Sequence, residues 1–138
     1  MTRVNRMMQD PVPDYVVICY LAGVAVECLL HAYRMRSQVA DSAKHDLRIH
    51  ADISGFYDGM SAGERRIAAE YLNEVVARWQ NNHRYRSEEA LRRFVEKHRL
   101  YVIDRNRTTR VSSIQFNAER LVEAAGQIVT IGVRRWTL

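Results

Sequence analysis

Two ionisable residues, Glu27 and His31, interrupt the apolar stretch "VVICYLAGVAVECLLHAYRMR" between Val16 and Arg36. A spacing of four residues places both side chains on one side of a helix, within reach of each other. Because a buried carboxylate without a partner is strongly destabilising, an interior Glu27 requires a cationic or hydrogen-bonding neighbour. Arg84, in the loop "NNHRYR", is the partner we select. The pair is then either a structural ion pair that pins this loop to the first helix or part of a polar pocket for a ligand or a reaction.

The five histidines and two cysteines show none of the spacings that are typical of metal sites. His45 and His50 point about 140° apart around a helix, which is poor geometry for shared coordination. Cys19 and Cys28 lie on opposite faces of one predicted helix, too far apart to form a disulfide with each other. We therefore expect no metal and no cofactor, and two buried thiols in a reducing cytoplasm.

A basic run is the next candidate for chemistry, because the formal net charge of +5 comes almost wholly from arginine. Within this run the acidic residues are only Glu96 and Asp104. Arginine forms planar, bidentate contacts with phosphate, so the run predicts a stripe that binds nucleic acid or nucleotide, and nearby Tyr85 and Tyr101 could stack on bases. A solvated surface is the alternative, and the arginine bias of a GC-rich genome would give the same composition. The run consists of Arg92, Arg93, Lys97, Arg99, Arg105, Arg107 and Arg110.

The elements that must position these residues are predicted to be helices, since no stretch shows sustained strand alternation with hairpin turns. Short connections between amphipathic helices predict an all-α, antiparallel up-and-down bundle of four main helices and one short helix. Residues 14–138 form this domain, after an N-terminal extension of residues 1–13. The predicted bounds are Asp14 to about Arg36, a short helix from around Ala43, Ser61 to Trp79, Ser87 to about Ile103, and roughly Val111 to Arg134.

Helical spacing and capping residues support these bounds. Ser61 with Glu64 three residues later is a capping box, and Ser87 is a cap for the fourth helix. Two glycines in "SGFYDGM" break the chain before the third helix. The apolar stripes predicted to face the core include Ile67, Leu72, Val75 and Trp79 in the third helix, Leu91, Phe94 and Val95 in the fourth, and Ile114, Leu121, Val122, Ala125 and Ile128 in the last.

The N-terminal region has some features of an export signal or a membrane span. Arg3 and Arg6 precede the apolar run, but Asp10, two prolines and Asp14 intervene, and no clear cleavage site follows. Only Val16 to Val26 is free of ionisable groups, well short of the roughly 20 residues that a span requires. We expect a cytoplasmic protein with no membrane association.

The stretch "YLAGVAVECLLHAY", followed by "HDL" and then by Trp79 and "RYR" at 84–86, resembles the HEPN domain, named for nucleotide binding in higher eukaryotes and prokaryotes. The resemblance covers Tyr15 to about Trp136. It implies an antiparallel helical bundle that commonly forms homodimers. Many members of the family are metal-independent ribonucleases of toxin, defence or RNA-processing systems. Some pair with a minimal nucleotidyltransferase, and others serve as binding modules without catalysis.

The catalytic signature of that family is an Arg followed four to six residues later by a His, usually with a polar residue just after the Arg. Arg78 with His83 matches the spacing, and so does Arg93 with His98, but Trp79 and Phe94 replace the polar residue. Arg93 and His98 would lie in mid-helix about 140° apart, whereas the first pair crosses a helix end, so we favour Arg78 and His83. In that case the 2′-hydroxyl of RNA attacks its own phosphate, His83 acts as general acid or base, and Arg78 or Arg84 stabilises the added charge.

Because the signature is imperfect in both places, the sequence favours a HEPN-like module that binds nucleotide or RNA, as part of a toxin–antitoxin or defence-type system. A metal-independent endoribonuclease is the alternative, and a small helical scaffold whose basic face reflects only genome composition is a third hypothesis. In the binding module, a structural or ligand pocket is lined by Glu27, His31, His45, Arg84 and Tyr85.

Overall fold

The computed structural model describes residues 13–38, 46–79, 87–100 and 113–137, and within these ranges the chain forms five helices and no strand. The all-α prediction is therefore confirmed. The helices are α1 (Tyr15–Arg36), α2 (Leu47–Ile53), α3 (Ala62–Arg78), α4 (Glu88–Lys97) and α5 (Ser113–Trp136).

Side-chain caps fix where four of these helices begin. Asp14 Oδ1 accepts hydrogen bonds from the first-turn amides of α1, and Asp46 Oδ1 does the same for α2. Ser61 Oγ accepts from the Glu64 amide at 3.2 Å, and Ser87 Oγ accepts from an α4 amide at the same distance. Each cap satisfies an amide that has no partner inside its own helix, so the predicted starts of α1, α3 and α4 are confirmed.

The three long helices α1, α3 and α5 pack together, and α5 contacts both of the others. Helices α1 and α5 run parallel, because Cys19 near the start of α1 contacts Asn117 near the start of α5, while Arg36 at the end of α1 donates to the carbonyl of Trp136 at 2.6 Å. Helix α3 runs antiparallel to α5: its start, at Glu64, meets the end of α5.

The prediction of an up-and-down bundle with four main helices is wrong for α4, which is a short helix. Helix α4 has ten residues and ends at Lys97 rather than near Ile103. Arg99 adopts a left-handed conformation with φ of 51°, its amide donates to the carbonyl of Glu96, and the amide of Leu100 donates to Val95 at 3.0 Å. This hydrogen-bond pattern terminates helices. Three long helices therefore alternate in direction, and two short helices accompany them.

Most of the predicted core residues are buried, but two are not: Ile67 is 47% exposed and Val122 is 46% exposed. Each is adjacent in sequence to a buried residue, Ala68 and Leu121 respectively, and is therefore rotated by about 100° from the direction of the core. The apolar stripes are narrower than the sequence pattern suggests. The predicted break in "SGFYDGM" is confirmed, with Gly55 and Gly59 at positive φ.

A tight contact joins α1 to the end of α3. The indole of Trp79 lies directly over Gly23, where an added Cβ would overlap the ring. Gly23 belongs to the "LAG" of the first helix, so this glycine is required by the close approach of an aromatic ring.

Candidate functional site

Arg78, the last residue of α3 and a predicted catalytic residue, is buried at a junction of three helices. Its Nε donates to Glu74 Oε1 at 2.9 Å, and its Nη1 donates to the carbonyl of Leu100 at 2.6 Å and to Asn117 Oδ1 at 3.1 Å. The guanidinium also lies over the ring of Phe116, 5.6 Å from its centroid. These contacts connect α3 to the end of α4 and the start of α5, which is a positioning role.

The network continues inward to Cys19. Asn117 is fully buried, and its Nδ2 lies 3.7 Å from Cys19 Sγ on α1. Burial raises the pKa of the Cys19 thiol to about 11, although Asn117 and the charge of Arg78 act in the opposite direction. The thiol is therefore protonated and unreactive at neutral pH. The prediction of two buried thiols is wrong for Cys28, which is exposed, because the two positions lie on opposite faces of α1.

Glu74 is shared between Arg78 and Arg120, whose Nε donates to the same carboxylate oxygen at 3.2 Å. Burial raises the pKa of Glu74, but the hydrogen bonds and charges of the two arginines outweigh it, so the pKa lies below its ordinary value. Glu74 borders a cleft of about 190 Å³ between α3 and α5, together with Glu70, Tyr71, Arg120, Glu123 and Ala124. Three carboxylates against one guanidinium give this lining an excess of negative charge, which disfavours a phosphate of RNA or nucleotide here.

The predicted partner of Arg78, His83, lies outside the described residues. The alternative pair, Arg93 and His98, is described, and its members face different neighbours. Arg93 Nη2 lies 2.6 Å from Glu89 Oε1, whereas the ring of His98 packs against Phe94 with centroids 4.7 Å apart. The expectation that both residues lie in mid-helix is wrong for His98, which caps the end of α4.

Of the predicted pocket residues, the structure describes Glu27 and His31, while His45, Arg84 and Tyr85 lie outside the described residues. Glu27 is half-buried and His31 is exposed. The structure shows one further residue beside His31: Arg34 is buried, and its Nη2 donates to His31 Nδ1 at 2.6 Å. Sequence reasoning missed Arg34, although its position three residues after His31, on the same side of the helix, is the signal that could have identified it.

In the described part of the predicted phosphate stripe, two arginines are paired with carboxylates. Arg92 and Arg93 pair with Glu88 and Glu89, at 3.8 Å and 2.6 Å, one turn earlier on α4. Lys97 and Arg99 are exposed at the end of the same helix. The stripe residues Arg105, Arg107 and Arg110 lie outside the described residues.

Charge is distributed unevenly between the described ranges and the rest of the chain. The described ranges hold thirteen basic and thirteen acidic residues, so the net charge of +5 belongs to the rest of the chain. Residues 39–45 are neutral, with one Lys and one Asp, and segments 1–12, 80–86 and 101–112 together hold seven arginines and two aspartates.

Each of these three segments has a described flanking residue near one end of the fold. Arg78 brings together the end of α3, the carbonyl of Leu100 and the start of α5, and Asn117 contacts Cys19 in the first turns of α1. We call this the arginine-rich end, defined by the described residues Asp14, Trp79, Leu100 and Ser113, where the three segments begin or end.

Within the described ranges, no group of three or more His, Cys, Asp or Glu side chains is arranged to hold a metal ion. By length and composition alone, α1 is apolar enough to cross a membrane, and in this fold it packs against α5. No protein-family model, curated protein or solved structure matches the chain. The likeness to the HEPN domain thus depends on the sequence motifs alone: the stretch around Gly23, "HDL" at 45–47, Trp79 and "RYR" at 84–86.

Proposed function

We propose that this protein is a HEPN-like module that binds RNA or nucleotide at its arginine-rich end. The observation that carries the proposal is the junction at Arg78, where Leu100 and Asn117 are held by one guanidinium. Three segments whose combined charge equals that of the whole chain begin or end around this junction. A polyphosphate chain is the partner that such a concentration of arginine attracts most strongly.

The HEPN resemblance supports the remaining parts of the proposal. On that basis we assign the helical arrangement to the HEPN type and the protein to a cytoplasmic toxin–antitoxin or defence-type system, as a homodimer. A nucleotidyltransferase-type protein is then the partner to seek by co-purification.

Binding is tested by fluorescence anisotropy with labelled single-stranded and structured RNA, and with a labelled nucleotide. The variant R84Q/R86Q removes two positive charges from segment 80–86, which follows Trp79 of the arginine-rich end. We expect it to weaken RNA binding about tenfold, because each arginine that no longer neutralises a phosphate reduces the electrostatic attraction.

The matched control is R65Q/R66Q, which removes two positive charges near the start of α3, at the opposite end of the fold. This variant should keep its affinity within about twofold. Equal losses in the two variants would indicate a non-specific polycation, and no binding of RNA or nucleotide by the wild-type protein would refute the proposal.

RNA cleavage is the alternative activity. Incubation with RNA in the presence of a chelator decides between binding alone and cleavage. Cleavage that is lost in His83→Ala and kept in His98→Ala would establish a metal-independent ribonuclease. Binding without cleavage would support the module. Arg78 is a poor residue to replace here, because its removal would release Leu100 and Asn117 and so disturb the fold.

A further inference from the structure

Besides the cleft at Glu74, a larger cavity of about 520 Å³ lies between the first turns of α3 and the last turns of α5. The antiparallel packing of these helices brings the two ends together, as the contact between Glu64 and Arg135 shows. The volume lies within the roughly 300–1,000 Å³ that is typical of small-molecule sites. We call this the α3–α5 cavity, and its described lining consists of Glu64, Ile67, Ile131, Arg134 and Arg135.

Helical spacing directs these five side chains to one place. Glu64 and Ile67 are three residues apart on α3, and Ile131 precedes Arg134 and Arg135 by three and four residues on α5. Residues at these spacings share one side of a helix. Ile67 is 47% exposed, and Ile131 is partly buried against the core. Each helix therefore contributes an apolar side chain to the cavity, and an apolar ligand there would remove exposed hydrocarbon from water.

Arg135 forms a fixed polar wall of the cavity. Its Nη1 lies 3.3 Å from Glu64 Oε2, and its Nη2 donates to the carbonyl of Asp58 at 2.7 Å. The Arg135 side chain is only 16% exposed. Because Glu64 balances its charge and two acceptors hold its guanidinium, Arg135 is not the group that attracts a charged ligand.

Arg134 differs from its neighbour in this respect. Its side chain lines the cavity and is exposed, and among the described residues no carboxylate forms an ion pair with it. The five described lining residues therefore have a net charge of +1. A guanidinium matches the two oxygens of a carboxylate in a planar, bidentate arrangement. One excess charge suits a monoanion, whereas the Glu64 carboxylate would repel the additional charges of a polyphosphate.

We propose that the α3–α5 cavity binds an aliphatic carboxylate, with its hydrocarbon chain between Ile67 and Ile131 and its carboxylate on Arg134. The cavity lies at the end of the fold opposite the arginine-rich end, since it is formed by the start of α3 and the end of α5. The inference therefore goes beyond the RNA-binding proposal and does not depend on it.

Isothermal titration calorimetry with hexanoate, octanoate and decanoate tests the proposal on the full chain. We expect the affinity to rise by at least about twofold for each added methylene group, because each buries more hydrocarbon. Octanol, which has the same chain length as octanoate and no charge, should bind at least about tenfold more weakly than octanoate.

Two variants separate the contributions of charge and hydrocarbon. Arg134→Gln should lower the affinity for octanoate about tenfold, because a hydrogen-bonded charge is lost, and should leave the affinity for octanol within about twofold. Ile67→Ser should lower the affinity for both ligands by at least about threefold. The matched control is Arg66→Gln, which removes the same charge from an exposed residue of α3 that is not in the described lining, and it should bind both ligands as wild type does.

Three results would overturn the proposal. The first is no binding of decanoate by the wild-type protein, and the second is equal affinity for octanoate and octanol, which would exclude a role for the carboxylate. The third is an equal loss of octanoate affinity in Arg134→Gln and Arg66→Gln, which would show attraction by the overall charge rather than by a site. Circular dichroism of each variant checks that the helices are kept.

Discussion

Gly23 illustrates how one residue determines how closely α1 and the end of α3 can approach each other. The indole of Trp79 occupies the space where a Cβ of residue 23 would lie. We expect Gly23→Ala to lower the free energy of unfolding by about 3 kcal/mol, because the ring must move and the packing between α1 and the end of α3 opens. Gly63→Ala, at an exposed position of α3 with no atom near the added methyl group, should not lower it. Urea unfolding followed by circular dichroism measures both, and equal stabilities would contradict the contact.

Glu74 gives the fold a defined dependence on pH. The arginines Arg78 and Arg120 hold its pKa below the ordinary value of about 4.5, despite the opposing effect of burial. A depressed carboxyl pKa stabilises the fold at neutral pH, and this contribution is lost as the pH falls below 4.5 through the folded-state pKa. We expect Glu74→Gln to be less stable than wild type at pH 7 and to lose less stability between about pH 5 and pH 3.

Urea unfolding at several pH values measures this difference. Glu70→Gln makes the same chemical change one turn earlier on α3, at an exposed position. It should follow the wild-type pH profile. A Glu74→Gln profile parallel to wild type would show that the two arginines do not stabilise the ionised carboxylate.

Residue types alone predict these roles poorly. Arg78 matches half of a catalytic signature by spacing, yet its guanidinium is used by Glu74, Leu100 and Asn117. A residue 22 positions away and another 39 positions away cannot be identified as partners from local patterns. A catalytic role of Arg78 stays a prediction, since the cleavage experiment replaces its predicted partner His83 and leaves Arg78 in place.

At the scale of the elements, helix starts were predictable and one helix end was not. Asp14, Ser61 and Ser87 are capping residues whose side chains act on amides two or three positions away, so the signal is local. The end of α4 depends on Arg99 in a left-handed conformation. Arginine does not favour this conformation, as glycine or asparagine would, so the sequence did not signal the end and the prediction made the helix too long.

This conformation makes Arg99→Gly a stabilising substitution. A left-handed residue with a side chain costs about 1–2 kcal/mol, which exceeds the added backbone entropy of glycine, about 0.5–1 kcal/mol. We expect a net gain of about 0.5–1 kcal/mol in the free energy of unfolding. Arg93→Gly, inside the same helix, should lose about 1 kcal/mol. Thermal and urea unfolding compare the two, and a loss in both would contradict the strain assigned to Arg99.

For the whole molecule, composition predicts that a partner is negatively charged, but it does not predict where on the protein the excess of arginine lies. The sequence drew attention to a run from Arg92 to Arg110, but its first two arginines are matched by Glu88 and Glu89 on the same helix. The described ranges are neutral as a set, and the arginine excess belongs to the three segments whose flanking residues define the arginine-rich end. Net charge is a sum over the chain, so it carries no information on position until the fold groups the residues.

The salt dependence of RNA binding measures which arginines bind phosphate. For single-stranded RNA the slope of log affinity against log salt decreases by about 0.7 for each phosphate that the protein no longer neutralises. We expect R105Q/R107Q to reduce the slope by about 1.4. The variant E88Q/E89Q/R92Q/R93Q removes two complete ion pairs from α4 without changing the net charge, and its slope should equal that of the wild-type protein. If the α4 variant reduces the slope and R105Q/R107Q does not, phosphate binds along α4, and the arginine-rich end is not the RNA site.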